Sequence, residues 1–207
     1  MIDVRDLGSL QLDGLREVAN IGAGHAATAL SQLTNRRIWV EAPEIRVVSL
    51  EEVAELTGRA DEVVAAVVMQ VLGDLAGRTV QIFPAGTACR LTATMLGRND
   101  LRFPDDFGEL EQSTLKEAGN ILGSAYLNAL SDFLGMLLLT SVPGLAIDLA
   151  AAVLTSSSIG FGEKSDYLIC IETVFTMDER EDRLRGHFLL LPDPASLQVI
   201  LRAIRLA

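Results

Sequence analysis

Residues 13–43 read DGLREVANIGAGHAATALSQLTNRRIWVEAP, and residues 113–143 read STLKEAGNILGSAYLNALSDFLGMLLLTSVP. The two stretches carry one spaced pattern, offset by 100 positions. The first copy is Asp13-x3-Glu17-x2-Asn20-x22-Pro43, the second Ser113-x3-Glu117-x2-Asn120-x22-Pro143. Leu15/Leu115, Ile21/Ile121, Ala29/Ala129, Leu30/Leu130 and Ser31/Ser131 extend the match. A repeated apolar position follows from repeated packing. A repeated polar set on one helix face does not, and it points to two copies of one site.

Working outward, apolar residues from 11 to 33 fall at helical spacing: Leu12, Leu15, Ala19, Ala26, Leu30 and Leu33. Ser9 is a candidate N-cap. Residues 38–48 are β-branched and aromatic around Pro43, a strand bent or interrupted at the proline. Residues 50–56 suit a short helix closed by Gly58. Residues 62–71 and 78–83 read as two strands joined by a tight turn, and 88–96 as a helix ending at Gly97.

The second half repeats this order. Asp106 and Glu109 resemble a capping box before a long helix reaching about residue 134. A strand around 136–141 runs to Pro143, and 148–157 suits a short helix. Residues 166–177 and 185–191 are strand-like, and 194–204 suit a final helix with proline in its first turn. The expected fold is α+β, with two pseudo-symmetric α-β-α-β-β-α repeats, 9–97 and 107–207, joined by a connector at 98–106. The repeats form one domain over 1–207, with a mixed or antiparallel sheet and two long helices carrying the sites.

The composition limits the function. At 207 residues and 49% hydrophobic, the chain can bury a substantial core. A formal net charge of −11 argues against nucleic acid, whose phosphates need Lys and Arg, and favours a basic patch on a protein partner. Cys89 and Cys170 lie far apart with no CxxC, and read as buried thiols of a reducing cytosol. The N-terminus lacks signal-peptide character. No apolar run approaches the roughly 18 residues that span a bilayer, so the positive mean hydropathy reports a rich core and a cytoplasmic location is expected.

On an α-helix, Asp13, Glu17 and Asn20 fall within an arc of about 60°, opposite Leu12, Leu15, Ala19 and Ala26. Ser113, Glu117 and Asn120 do the same against Leu115, Ala118 and Leu122. Small residues follow each Asn, Ala23 and Gly24 in one copy and Gly123 and Ser124 in the other, leaving room for another surface to approach. A single copy would suit a solvated face with glycines for helix packing; two copies at identical spacing do not. A neutral amide can hold a water in line with a phosphoryl group without repelling it. A carboxylate three residues away is better used to grip a Lys or Arg beside the phosphate.

The duplicated pattern, with Asn-Ile-Gly-x-Gly-x-Ala after the first Asn and Gly-Asn-Ile around the second, resembles the CheC/CheX/FliY family of chemotaxis phosphatases, in its CheC branch. CheX-type relatives usually keep one complete copy, and FliY-type relatives add a flagellar switch domain, which is not expected within these 207 residues. His25 departs from the family, which commonly has Asn there. The resemblance implies that the substrate is phosphorylated CheY, a receiver domain bearing an aspartyl phosphate. Glu17 and Glu117 would pair with the receiver lysine, and Asn20 and Asn120 would orient the attacking water. Asp13, Ser113, Pro43 and Pro143 would flank the sites. Mg²⁺ would belong to the receiver, this chain would bind no cofactor, and no covalent intermediate would form on it.

Family members also bind CheD, a chemoreceptor glutamine deamidase. The resemblance implies that a short helix opening at Asp148 docks it, whereas residue chemistry alone makes Asp148 an N-cap. Gly22-Ala23-Gly24-His25-Ala26-Ala27 matches GxGxxA, but a dinucleotide site needs a strand before it, and here a long helical pattern precedes. His25 and His187 lack metal-ligand spacing, and no Gly-x-Ser-x-Gly occurs.

Overall fold

The computed structural model describes residues 8–49, 52, 61–98, 100–158, 167–177 and 183–206. Two helices of equal length set the frame, α1 (Ser9–Thr34) and α3 (Glu109–Leu134). Their faces explain why they form. Leu15, Val18, Ala19, Ala26 and Leu30 are buried along α1, as are Leu115, Ala118, Leu122 and Leu130 along α3, each set at helical period. Leu33, expected on the apolar face, is exposed. Both helices close on a left-handed residue, Asn35 (φ 50°) and Gly135 (φ 64°).

The remaining elements are β1 (Ile38–Val40), β2 (Glu44–Ser49), β3 (Val63–Gly73), β4 (Gly77–Pro84), α2 (Ala85–Leu96), β5 (Leu138–Thr140), β6 (Gly144–Leu149), α4 (Ala150–Ser158), β7 (Tyr167–Met177), β8 (Arg183–Pro192) and α5 (Pro194–Leu206). They build an eight-stranded sheet in the order β1–β7–β8–β4–β3–β5, with β2 also on β7 and β6 also on β3. Every pairing is antiparallel. The sheet interleaves the halves of the chain. β1 and β2 pair with β7 of the second half, β5 and β6 pair with β3 of the first, and β4 meets β8 at the centre.

The central strands are buried on both faces, which is why they read as near-continuous apolar runs. Alternation along β4 sends Thr79, Gln81 and Phe83 toward α1 and α3, and Val80 and Ile82 toward the opposite face. On that opposite face Ala150, Val153 and Leu154 of α4 pack with Val64, Ile82, Leu189 and Cys170. The helix pair covers the first face in two clusters. The N-terminal part of α1 (Leu15, Val18, Ala19) packs with Tyr126, Leu127 and Leu130 of α3, and its C-terminal part (Ala26, Leu30) with Leu115, Ala118 and Leu122. The two helices therefore run antiparallel.

The strand break expected at Pro43 falls between β1 and β2, and Pro143 occupies the same place between β5 and β6. Ser31 and Ser131 explain one repeated polar position. The Ser31 hydroxyl accepts from the Ile38 amide at 2.9 Å, and the Ser131 hydroxyl donates to the Met136 carbonyl, each fastening a helix end to the strand that follows.

Three local expectations need correction. The cap of α1 is Gly8, not Ser9, and its amide donates to Gln11 Oε1 at 2.6 Å. The cap of α3 is Gly108, whose amide donates to Glu111 Oε2 at 3.1 Å, while Asp106 binds Arg102 instead of pairing with Glu109. Residues 144–149 form a strand the sequence did not suggest, and the short helix begins at Ala150 and not at Asp148. The helix expected at 50–56 lies outside the described residues apart from Glu52, which is helical.

Candidate functional site

The antiparallel helix pair places the two polar sets apart. Glu17 and Asn20 lie on the part of α1 that packs beside the C-terminal half of α3, and Glu117 and Asn120 on the part of α3 beside the C-terminal half of α1. Asp13, Glu17 and Asn20 are exposed, as are Ser113 and Glu117, while Asn120 is half-buried. The buried residues beside them, Leu15, Val18 and Ala19 in α1 and Leu115, Ala118 and Gly119 in α3, fix which way each polar face points.

Among the described residues, the side chains of Glu17, Asn20 and Glu117 make no hydrogen bond or ion pair. Asn120 Oδ1 lies 3.5 Å from the Ser124 hydroxyl, at the outer limit of a contact. Asp13 differs, because its carboxylate meets Arg16 at 2.6 Å across one turn. Both partners are more than half exposed, so that pair contributes at most about 1 kcal/mol. It does remove one free negative charge from the first site, where the second has the neutral Ser113.

The small residues after each Asn serve different ends. A Cβ placed on Gly24 would meet nothing within 4 Å, so that surface is open to another molecule as expected. A Cβ on Gly123 would lie 2.3 Å from both Gln81 Nε2 and Met69 Cε. The sheet fills that space from within, so Gly123 seats α3 and leaves no opening for a partner. Gly119, immediately before Asn120, is also closed, with Val67 Cβ 2.5 Å from where its Cβ would be.

Pro43 is buried and Pro143 half-buried, each just before an outer strand. They shape the strand break after the helix and present no chemistry of their own. Asp148 is exposed near the end of β6, paired in register with Val64. Its Oδ1 accepts from the next amide, Leu149, at 2.7 Å, and it caps no helix. Ile21, the repeat partner of Ile121, belongs to the first polar face. It is 41% exposed beside Asn20, at i+4 from Glu17, an apolar contact on the polar face. An isoleucine at that spacing was the available signal.

The GxGxxA stretch lies inside α1 with no strand before it, which removes the dinucleotide reading. His25 is exposed. His187 is buried with both ring nitrogens unpartnered, and burial holds its pKa below the ordinary histidine value. Both cysteines are free thiols; Cys170 is buried and Cys89 half-buried. Burial pushes the Cys170 thiol up to about 12, with Glu172 adding to the rise. Among the described residues no three His, Cys, Asp or Glu side chains gather as a metal site, and no helix is long and apolar enough to cross a membrane.

Paired long helices over an antiparallel sheet define the class of fold, and comparison with known proteins places the chain in a family. Residues 10–46 and 110–147, the two segments holding the repeated pattern, match the model of the CheC-like family. The chain is 35% identical over 94% of its length to the CheY-P phosphatase CheC of Bacillus subtilis, covering 93% of that protein. The chain belongs to the CheC-like family. Its fold is shared with Thermotoga maritima FliY, at a TM-score of 0.77 and 17% identity, over 97% of this chain and 98% of that one. A CheX–CheY–BeF3–Mg²⁺ complex from Borrelia burgdorferi also matches, at a TM-score of 0.51 and 14% identity over 84% of this chain and 97% of that one.

Proposed function

We propose that this chain accelerates hydrolysis of the aspartyl phosphate of a CheY-type receiver domain. The observation that carries the reading is the pair of matched Glu-x2-Asn faces whose exposed carboxylates, among the described residues, are left without partners. Unpaired polar side chains at matched places on two helices suit recognition of a second molecule. The Bacillus relative is named for this activity, and the Borrelia neighbour was solved with CheY, beryllofluoride and Mg²⁺.

In this mechanism the receiver supplies the phosphoaspartate and holds the Mg²⁺, and the chain supplies two polar groups per site. Glu17 or Glu117 accepts hydrogen bonds from a receiver lysine, fixing the docked geometry. Asn20 or Asn120 then holds a water in line with the phosphorus, accepting from it through the amide oxygen while the NH₂ remains free to donate. The gain comes from positioning and from an uncharged neighbour to the phosphoryl oxygens. No bond forms to this chain. The net charge of −11 favours approach through a basic patch and disfavours bare phosphate as substrate. Phosphate release from phosphorylated CheY, with and without the purified chain, tests the reading. Acceleration that vanishes when both Asn are replaced supports it, and unchanged decay at excess chain overturns it.

A second reading makes the chain an adaptor for CheD, docking through the region of Asp148. One observation favours it. Asp148 is no helix cap, so the capping role that would explain it is gone, while its exposed carboxylate sits beside exposed Leu149, Ala151 and Ala152. A pull-down of CheD with the wild type and with Asp148→Lys decides it, with loss of capture only in the variant as the supporting result.

A further inference from the structure

Gln81 sits at the middle of the sheet, 2% exposed, in register with Val67 of β3 and Phe188 of β8. Among the described residues, neither its amide oxygen nor its amide nitrogen has a partner. Thr79, two residues earlier on the same face, also has an unpartnered buried hydroxyl. The Tyr126 and Thr173 hydroxyls lie 2.7 Å apart, joining α3 to β7. Gln81, Tyr126 and Thr173 line one small cavity beneath α3, with Leu122 and Phe188 as apolar walls. Its volume is about 10 Å³, close to the least that holds one water molecule.

We propose that this cavity binds one internal water, held by the Gln81 amide and the Tyr126–Thr173 hydroxyl pair. Buried amides in folded proteins are almost always hydrogen-bonded, to protein or to ordered water, and a bound water needs two to four polar partners. The cavity offers a donor and an acceptor from Gln81 and two hydroxyls. Burial pushes the Tyr126 hydroxyl up to about 12, so it keeps its proton and can donate. Tyr126 and Thr173 carry two hydroxyl protons and spend one on each other, which leaves one for the water. An adjacent cavity provides the contrast. It is larger, about 20 Å³, but apart from Tyr126 its walls are apolar side chains such as Leu15, Val18, Leu127 and Ile171, and such a site stays dry. The water would tie α3, which carries Glu117 and Asn120, to β4 of one half of the sheet and β7 of the other.

A high-resolution crystal structure of the full chain tests this. The expected result is an ordered water within about 2.7–3.2 Å of a Gln81 amide atom and of the Tyr126 or Thr173 hydroxyl. A Gln81 amide bonded directly to protein atoms, with the cavity empty or closed, overturns the proposal. In Gln81→Met, close to isosteric and apolar, the water should be lost. A water kept at the same place in that variant would show that Gln81 does not hold it, and would also overturn the proposal. Should the variant fail to fold, the wild type suffices in solution. A cross-peak from long-lived water to the Gln81 side-chain NH₂ is expected, and its absence once that NH₂ is assigned contradicts the inference.

Discussion

Replacing Gly119 with alanine should loosen the seating of the second site. A Cβ there would fall 2.5 Å from Val67 Cβ and 2.6 Å from each of its γ carbons. These are the branch point and both arms of a β-branched side chain on a central strand, so no flexible tip can swing away. Overpacking of this kind costs about 1–3 kcal/mol, and three simultaneous clashes place it near the upper end. Alanine returns about 1 kcal/mol of helix propensity. The net is a loss of about 2 kcal/mol, a fall in Tm of about 4–8 °C for a chain of this size. The matched position in α1 is already alanine, Ala19, so α1 accepts a Cβ where α3 does not. Gly24→Ala supplies the control, since its Cβ meets nothing within 4 Å. It should raise Tm by about 2–4 °C through propensity alone. Thermal melts followed by circular dichroism on the three proteins measure both shifts. A Gly119→Ala protein melting at or above wild type would refute the close approach of α3 to β3.

Three other outcomes follow from the same geometry. With the first site disabled, Glu117→Ala should weaken docking of phosphorylated CheY, and Asn120→Ala should lower the rate at saturation with docking spared; equal loss of binding in both undoes the division of roles. Asp148→Lys should leave Tm unchanged, because Asp148 caps no helix, and a fall of several degrees would restore a structural role for it. His187 is held below its ordinary value of 6.5 by burial, with Glu172 opposing and Arg185 and Arg46 reinforcing the shift. Between its folded value and 6.5 the unfolded chain binds the extra proton, so stability rises with pH across that window and is lost as pH falls through it. Urea unfolding of wild type and His187→Leu at pH 7.5 and pH 5.5 (values chosen about the ordinary histidine pKa of roughly 6.5) should show a smaller loss in the variant.

The long helices could be read in the sequence because their buried residues recur at helical period, and β3, β4, β7 and β8 because strands buried on both faces are continuous apolar runs. β6 is hidden because Asp148, near its end, imitates the cap of the helix that follows, although the strand after Pro43 implies one after Pro143. The caps were misplaced by a residue or two because glycine offers no side-chain signal. Yet Gly8 and Gly108, with Gln11 and Glu111 three residues on, keep the same 100-residue offset. Glu17, Asn20, Glu117 and Asn120 stood out because polar residues repeated on one face need a reason beyond packing. The closure beneath Gly119 and Gly123 did not, since it depends on which strand residues lie under α3, and long-range register sets that.

The most direct measurement of the central claim is the rate of phosphate loss from CheY with Asn20→Ala, Asn120→Ala and the double variant. Losing one oriented polar contact to the transition state costs on the order of 10²–10³ in rate at that site. Each single variant should therefore keep only the other site's share of the activity. The double variant should fall nearly to the receiver's own decay while its Tm stays near wild type, since Asn20 is exposed and Asn120 makes only a marginal contact with Ser124. A folded double variant that keeps most of the acceleration would contradict the assignment of water positioning to these two asparagines.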